Sequence, residues 1–262
     1  MLDRQKLLSV IIPAHRQAQT IVKDIKRIEK VLSQIRYDFE MIVVVDGYGD
    51  GTYRAANKVK SQKVKTYVYK KNLGKGWALR FGMGKAKGDY VAFIDAGMEI
   101  DPNGLSMLLE HLEWYDADII VGSKRHPASY VEYPFLRKVL SWVYYLLVRI
   151  LFGFRVHDTQ AGIKIFKRKV LEVILPRLLI KRYALDVEIL AVANHLGFRR
   201  IYEAPIRIRY GFGDTLTSSA NLKTIMGMLL DTAAIFYRLY IRRYYDGRNW
   251  RQWKKFNELY RT

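Results

Sequence analysis

The sequence contains no cysteine, and this absence excludes several kinds of chemistry at once. Disulfide bonds, thiolate metal sites and cysteine nucleophiles are all ruled out, and a chain without disulfides fits a reducing compartment. The 5 histidines form no pair at helical or turn spacing that would suit a metal ion. We interpret them as surface or structural residues, and His157 alone lies beside a motif. They are His15, His111, His126, His157 and His195.

Long uncharged hydrophobic runs are also scarce. The apolar run at residues 7–13 follows mixed charges and has no small-residue cleavage site, so we interpret it as a buried strand and not as a signal peptide. Residues 139–154 are interrupted by Arg149, and residues 224–241 contain two charged side chains. A helix that crosses a bilayer needs roughly 20 largely uncharged residues. The sequence therefore predicts a protein that is soluble or peripherally bound to a membrane.

Acidic residues are the minority, with 25 Asp and Glu against 45 Lys and Arg, a net charge of +20. Such an excess implies a polyanionic partner, which can be nucleic acid, an anionic membrane surface or a phosphate-rich substrate. The 19 tyrosines and 5 tryptophans suit either stacked bases or a lipid headgroup belt. Nucleic acid is the least favoured of these partners. The chain lacks an aromatic and basic RNA-binding strand motif, and its acids concentrate at predicted strand ends, where they would repel a phosphate backbone.

The hydrophobic pattern alternates between strand and helix periodicity along the first half of the chain. Short apolar, β-branched runs predict strands, and helical spacing between them predicts helices. The strands are predicted at residues 7–13, 41–45, 64–69, 89–94 and 117–121, and the helices at 20–35, 52–59, 74–87 and 102–115. This order is typical of an α/β domain with an open, mostly parallel twisted sheet and helices on both faces.

The second half is less regular. It predicts strand-like chain at residues 156–167, helices at 169–178 and 185–196, a strand at 200–208 and a helical C-terminal stretch from residue 224. With no internal repeat and no low-complexity linker, the simplest division is a catalytic domain at residues 1–222 followed by a basic helical segment at 223–262. Residues 134–155 within the domain are predicted to form amphipathic interface helices.

Two acidic turns follow predicted buried strands, at the carboxyl ends where ligands bind in open α/β sheets. Asp46 and Asp50 lie in the first turn, and Asp95, Glu99 and Asp101 in the second. Oxygen-rich loops of this kind hold Mg²⁺ or Mn²⁺ through one or two carboxylates and substrate phosphates. The alternative is that these acids cap the helices that follow. That alternative has most weight for Asp50 and Asp101, and least for Asp95.

A series of motifs in this order resembles the family-two glycosyltransferases of GT-A fold. They are Ser9-Val-Ile-Ile-Pro-Ala14, Val44-Val-Asp-Gly-Tyr-Gly-Asp-Gly-Thr52, Asn72-Leu-Gly-Lys-Gly76 and Asp95-Ala-Gly-Met-Glu99. Three later motifs resemble the subgroup that makes dolichol- and polyprenyl-phosphate hexoses. These are Gly122-Ser-Lys-Arg125, Asp158-Thr-Gln-Ala-Gly-Ile-Lys164 and Leu185-Asp-Val-Glu188. The resemblance covers roughly residues 7 to 215.

On the donor side, the resemblance implies a nucleotide-sugar pocket with Mg²⁺ or Mn²⁺ on the diphosphate. The residues it implies for nucleotide-sugar binding are Pro13, Ala14, Asp46, Lys75, Asp95 and Ala96. Asp95 and Glu99 would hold the metal. Asp158 and Gln160 would lie on the sugar side and, with Asp95, act in catalysis. Asp186 and Glu188 would support them. The base and sugar stay open between the GDP-mannose and UDP-glucose types.

On the acceptor side, the resemblance implies a polyprenyl phosphate. Its contacts would be Lys124, Arg125, Arg137, Ser141 and Trp142, of which Arg125 and Arg137 would also act in catalysis. A lipid phosphate is already anionic near neutral pH, so it needs positioning in line with the leaving group and no strong general base. The expected location is the cytoplasmic face of an anionic membrane, with a membrane-anchoring protein as a further partner.

The sequence departs from the family pattern at three places. The first acidic turn has Asp46-Gly47 instead of paired aspartates, and Asp95-Ala-Gly97 replaces Asp-x-Asp, which leaves Glu99 to supply the second carboxylate. Gly213-Asp-Thr-Leu216 lacks the lysine of the usual Gly-x-Ser-Lys. Two other functions stay open: a soluble glycosyltransferase that acts on a saccharide or protein, and, more distantly, a nucleic-acid-binding protein.

Overall fold

The computed structural model describes residues 6–97, 99–131, 135–208 and 222–249, without the side chains of residues 135–138, Leu222 and Arg248. The strands are β1 (Leu7–Ala14), β2 (Asp38–Val45), β3 (Val64–Val68), β4 (Tyr90–Ile94), β5 (Ile119–Ser123), β6 (Tyr130–Val131), β7 (Ile163–Lys167), β8 (Ile201–Pro205) and β9 (Arg207–Ile208). The helices are α1 (Ile21–Leu32), α2 (Thr52–Ala56), α3 (Lys75–Lys85), α4 (Asn103–Trp114), α5 (Phe135–Phe152), α6 (Arg168–Ile174), α7 (Leu185–His195) and α8 (Leu222–Phe236). A single turn of 3-10 helix follows α6 (Leu175–Arg177), and α8 continues as a π-helical turn (Tyr237–Ile241).

Seven strands form one mixed sheet in the order β3-β2-β1-β4-β7-β5-β8. All neighbours pair in parallel except β7, which runs antiparallel to both β4 and β5. The α/β class and the mostly parallel sheet predicted from the sequence are therefore confirmed. β6 and β9 form a separate two-stranded parallel ribbon, which the sequence pattern did not reveal because each strand has two residues.

Side chains along the central strands alternate between two hydrophobic cores, as the period of a strand requires. Ile11 packs on one face of the sheet with α3, α6 and α7, whereas Val10 and Ile12 pack on the other face with α1 and α4. Because both faces are covered, the buried strands need continuous apolar sequence. This explains why the runs in β1, β2 and β4 are so apolar.

Two sequence predictions in the second half are wrong in detail. Only Ile163–Lys167 of the predicted strand at 156–167 is a strand, because the Asp158 carboxylate accepts a hydrogen bond from the Gln160 backbone N–H (3.1 Å) and turns the chain. The predicted strand at 200–208 breaks after β8. Pro205 has no N–H with which to continue the ladder, and the Ile206 N–H donates to the Ser129 hydroxyl (3.0 Å).

Residues 135–152 form one helix, α5, not the several helices expected between 134 and 155. Its inner face contributes Tyr144 and Val148 to the core, and the Tyr144 and Thr232 hydroxyls are 2.8 Å apart, which joins α5 to α8. Burial raises the pKa of Tyr144 to about 12. α8 adds Ile235 to the same core. The division at residue 222 stays a prediction.

The C-terminal helix differs from the sequence prediction that no segment is apolar enough to cross a membrane. Lys223–Ile241 is long and apolar enough, by length and composition alone, to cross a membrane. The sequence reading excluded this because it counted Asp231 and Arg238 as interruptions. Core helices of soluble proteins pass the same test of length and composition.

Candidate active site

The carboxyl ends of β1, β2 and β4 open onto a cleft of about 610 Å³. The sequence predicted this edge as the ligand site, and the structure brings most of the predicted donor-side residues together there. Those that line the cleft are Pro13, Ala14, Asp46, Lys75, Asp95, Ala96, Glu99 and Gln160, and the predicted acceptor residue Lys124 lines it too. We call it the donor cleft.

Asp95 directly follows β4 and lies against β7. Its backbone N–H donates to the Gly162 carbonyl (3.0 Å), and its Oδ2 is 2.7 Å from the Lys75 ammonium. A Cβ atom on Gly162 would lie 2.0 Å from Oδ2, so a side chain at this position is incompatible with the observed carboxylate. Glycine at 162 therefore permits the position of Asp95.

Lys75 begins α3 and reaches Asp95 from a tightly packed turn. Gly74 has φ of 101°, and a Cβ there would lie 2.5 Å from the Lys181 carbonyl oxygen. The Trp77 N–H donates to that same carbonyl (3.0 Å). Burial opposes the charge of Lys75, but the Asp95 and Asp186 carboxylates outweigh it and hold the pKa of Lys75 above its usual value. A lysine that stays charged here suits a diphosphate ligand.

The residues at Asp95 fit a divalent cation. Asp95 Oδ1 is buried and has no hydrogen-bond partner within the described residues, which leaves one carboxylate oxygen available. Glu99 lines the same cleft. Within the described residues, no group of three or more His, Cys, Asp and Glu side chains is placed so that it could hold a metal ion. A Mg²⁺ site commonly takes only one or two carboxylates from the protein, and substrate phosphates supply further ligands.

Asp24 holds the turn that follows Asp95, a role that the sequence analysis missed. This buried α1 carboxylate accepts a hydrogen bond from the Gly97 N–H (3.0 Å). Burial raises the pKa of Asp24. The apolar spacing of α1 gave no signal for it, since one acid among several charged residues looks like a solvent-facing side chain.

Asp46 follows β2 and is buried. Its carboxylate accepts hydrogen bonds from the Tyr69 hydroxyl (2.8 Å) and the N–H groups of Leu73 and Gly74 (2.8 and 2.9 Å). Asp46 therefore fixes the turn that carries Lys75, while it also lines the cleft. Its predicted contact with base and ribose stays a prediction.

The other two acids of these turns act as caps. Asp50 Oδ1 accepts a hydrogen bond from the Thr52 N–H at the start of α2 (2.9 Å). Asp101 Oδ1 accepts one from the Asn103 N–H at the start of α4 (3.0 Å). Each acid lies one residue before the N-cap position, Gly51 or Pro102, and bonds the first helical N–H, so both have a structural role at a helix start.

Asp158 and Gln160 lie in the turn before β7. The buried Asp158 carboxylate accepts a hydrogen bond from the Lys124 N–H (2.9 Å) and lies 3.5 Å from its ammonium. Gln160 Nε2 is buried and has no hydrogen-bond partner in the part of the chain that is described. Gln160 thus offers an unused donor beside the cleft, whereas Asp158 positions Lys124.

A second cleft, of about 630 Å³, opens where the β5 end meets α5. Predicted acceptor residues Lys124, Arg125, Ser141 and Trp142 line it, and Lys124 lines the donor cleft as well. We call it the acceptor cleft. The side chain of Arg137 lies outside the described part of the structure.

Arg125 is the best-defined cation of the acceptor cleft. Its Nη2 donates to the Ser141 hydroxyl (2.9 Å), and the guanidinium lies 5.1 Å from the Trp142 ring centre and 4.6 Å from that of Tyr145. Nη1 is buried without a hydrogen-bond partner among the described residues. An arginine held on aromatic rings with one unused N–H group is suited to an anionic oxygen.

Asp186 and Glu188 lie behind the clefts. Asp186 Oδ1 is 2.5 Å from the buried Lys164 ammonium, and burial lowers the pKa of Lys164. Glu188 accepts hydrogen bonds from the N–H groups of Leu179 and Ile180 (2.9 Å each) and from the Tyr245 hydroxyl (2.7 Å). Burial raises the pKa of Glu188. The segment that it fixes continues to Arg182 and Tyr183, which line the donor cleft.

Comparison with known proteins agrees with this fold. A family model described as glycosyl transferase family 2 matches residues 9–175, and the chain belongs to this family. Its structure resembles glucosyl-3-phosphoglycerate synthase from Mycobacterium tuberculosis, solved with Mn²⁺, UDP and phosphoglyceric acid. The TM-score is 0.66 at 20% identity, over 88% of this chain and 78% of that one. This likeness confirms the GT-A fold.

Among curated proteins, the chain is similar to two named dolichyl-phosphate beta-glucosyltransferases. The Drosophila melanogaster protein is 32% identical over 72% of this chain and 63% of its own length. The Dictyostelium discoideum protein is 30% identical over 72% of this chain and 62% of its own length. The chain thus spans less than two thirds of each relative. The resemblance drawn from the motifs is confirmed.

Proposed function

We propose that this protein transfers a hexose, with inversion, from a nucleotide-sugar to a polyprenyl phosphate at a membrane surface. The observation that carries the proposal is the pair of clefts that share Lys124. One contains the carboxylate with an unused oxygen, and the other the arginine with an unused N–H group. The names of the curated relatives favour a UDP-glucose-type donor and a dolichyl-type acceptor.

In the donor cleft, Asp95 and Glu99 would hold Mg²⁺ or Mn²⁺ against the donor diphosphate. When bound, the metal stabilises negative charge on the departing nucleoside diphosphate. Lys75 adds a cation 2.7 Å from Asp95, and Gln160 offers its free N–H group to the sugar. Asp46 fixes the turn that carries Lys75 through its hydrogen bonds to the Leu73 and Gly74 N–H groups.

In the acceptor cleft, Arg125 binds the lipid phosphate, assisted by Ser141 and Lys124. The phosphate oxygen is already an anion, so the protein has to orient it toward the sugar carbon opposite the leaving diphosphate. In-line attack inverts the configuration at that carbon. Catalysis on this account comes from positioning and from positive charge at both phosphates.

The surface beside the acceptor cleft suits a lipid bilayer. α5 exposes Trp142, Val143, Leu146 and Ile150, and α8 with its π-helical turn exposes Met226, Leu230, Tyr237 and Ile241. The two helices pack together through Phe152 and Phe236. An apolar face with aromatic residues and nearby arginines is typical of helices in the headgroup region. We propose peripheral binding to the cytoplasmic face of an anionic membrane, and a membrane-anchoring protein as a further partner.

Labelled UDP-glucose and GDP-mannose, each supplied with a short-chain isoprenyl phosphate and Mn²⁺ or Mg²⁺, test the proposal. We expect label from one donor to enter the organic phase as a lipid phosphodiester. Saccharide acceptors are assayed in parallel. Transfer to water-soluble acceptors alone would favour a soluble glycosyltransferase and overturn the proposed acceptor.

A further inference from the structure

His157 lines the acceptor cleft together with Arg125 and Ser141. Its Nδ1 lies 2.8 Å from Glu203 Oε2. When a carboxylate accepts a hydrogen bond from one ring nitrogen, it fixes the ring and leaves the other nitrogen, Nε2, for a ligand. An oriented imidazole is therefore present in the cleft.

Glu203 is itself held in place from β8. Its Oε1 accepts hydrogen bonds from the backbone N–H groups of His157 (2.9 Å) and Asp158 (3.0 Å). The carboxylate is mostly buried, whereas the His157 side chain is 58% exposed. This arrangement positions the imidazole rigidly while its free edge stays open to a ligand and to solvent.

The neighbourhood of His157 indicates an anionic ligand. Arg125 Nη1 is buried without a partner among the described residues. A phosphate monoester carries about −1.5 to −2 charges at pH 7 and has three acceptor oxygens, so one guanidinium neither neutralises it nor satisfies all its oxygens. An imidazolium adds a second charge and one more N–H donor.

We propose that His157, protonated and oriented by Glu203, is a further contact for the acceptor phosphate, and that the share of acceptor binding due to His157 falls as pH rises. The inference rests on the proposed function, because it takes the acceptor cleft as the phosphate site. The sign follows from histidine, which ordinarily loses its positive charge between about pH 5 and 8. Below that range the imidazolium attracts the phosphate, and above it the attraction is lost.

Other ionisable groups face His157 from each element around it. Tyr145 of α5 places its ring 5.9 Å from the imidazole, and its hydroxyl accepts a hydrogen bond from Arg149 (2.9 Å). The acids are Glu203, in contact with His157, and Asp158, beside Lys124. The remaining cations that line the cleft are Lys124, Arg125 and His126. Arginine and lysine side chains ordinarily stay charged from pH 6 to 8.5. Because His126 is a second histidine of this cleft, each variant is compared with the wild type at the same pH.

The test measures the dissociation constant of a short-chain isoprenyl phosphate, from tryptophan fluorescence, between about pH 6 and pH 8.5. His157→Gln removes the charge, and His111→Gln is the matched control, since His111 is exposed on α4 and contacts the Met107 carbonyl. Loss of a charge-assisted hydrogen bond should weaken binding roughly 10-fold at pH 6 and less than about 2-fold at pH 8.5. Nucleoside diphosphate binding should not change, which also verifies folding.

Glu203→Gln should reproduce part of this pH-dependent loss. Equal weakening at every pH, or no weakening, in His157→Gln would overturn the inference. Because the binding measurement needs no turnover, it tests the role of His157 independently of whether the protein transfers sugar. If His157→Gln shows this pH-dependent loss relative to the wild type but the wild type transfers no sugar, the proposed function alone is contradicted.

Discussion

At the scale of single residues, Asp95 depends on contacts from distant parts of the chain. Lys75 binds its Oδ2, and Asp24 holds the turn at Gly97. Gly162 provides the space for the carboxylate. These contacts explain how the Asp95 carboxylate is held while its Oδ1 has no hydrogen-bond partner among the described residues.

Gly162→Ala should therefore disable the site. The added methyl group would occupy the position of Asp95 Oδ2, so the carboxylate must move and metal-dependent nucleotide binding should fall by at least about 10-fold, as for other changes that displace a metal ligand. Isothermal calorimetry of UDP with Mn²⁺ measures this.

The matched control is Gly227→Ala on α8, where a new methyl group meets nothing within 4 Å. Alanine favours helix over glycine by about 1 kcal/mol, so this variant should bind UDP normally and melt slightly higher. Unchanged UDP binding in Gly162→Ala would refute the packing account of Asp95.

The sequence identified the site residues that follow strands, such as Asp46 and Asp95, because the end of an apolar run marks the sheet edge. It gave no role to Asp24, Gly162 or Glu203, whose partners are far away in the sequence. Glu203 is 46 residues from His157. Such contacts depend on strand order, and the antiparallel insertion of β7 between β4 and β5 cannot be read from local hydrophobic pattern.

At the scale of elements, the C-terminal chain is connected to the donor cleft through Glu188. The Tyr245 hydroxyl donates to Glu188, whose carboxylate also holds the N–H groups of Leu179 and Ile180. The following residue, Lys181, contacts the turn that carries Lys75. Position 245 is thus linked to Asp95 through a short series of packed groups.

Tyr245→Phe should destabilise the protein by about 1.5–3 kcal/mol, because it removes a hydrogen bond to a buried carboxylate. We expect the melting temperature to fall by about 3–10 °C and UDP to bind more weakly. Tyr240→Phe serves as the control, since its ring packs on Phe152 and Phe236 near the surface. An equal effect of both changes would argue against the Glu188 link.

The exposed faces of α5 and α8 give a second prediction at this scale. Ile150→Glu or Leu230→Glu should weaken binding to anionic vesicles by about 10-fold or more, since each loses the roughly 1.5–3 kcal/mol of a buried aliphatic side chain. Ile150 is 72% and Leu230 65% exposed. Vesicle co-sedimentation measures the effect.

Trp114→Glu is the matched control. Trp114 is 86% exposed and ends α4, which packs on the opposite face of the sheet from α5 and α8. Its replacement should leave vesicle binding unchanged. If Trp114→Glu weakens binding as much as Ile150→Glu, the proposed membrane surface is wrong.

At the scale of the whole molecule, the net charge of +20 should govern which surfaces the protein binds. Each basic residue near an anionic leaflet contributes about 1 kcal/mol, and salt screens this attraction. We expect vesicle binding to require anionic lipid and to weaken as salt rises. Oligonucleotides should compete poorly, and strong competition by them would revive the nucleic-acid alternative.

The central claim is that Asp95 holds a divalent metal on the donor diphosphate, and thermal denaturation with UDP tests it most directly. At 100 times its dissociation constant, UDP with Mn²⁺ should stabilise the wild-type protein by about 2.7 kcal/mol. Asp95→Asn should lose the metal-dependent part of this stabilisation but keep its fold. If neither UDP nor GDP raises the melting temperature with either metal, or if Asp95→Asn responds like the wild type, the claim is contradicted.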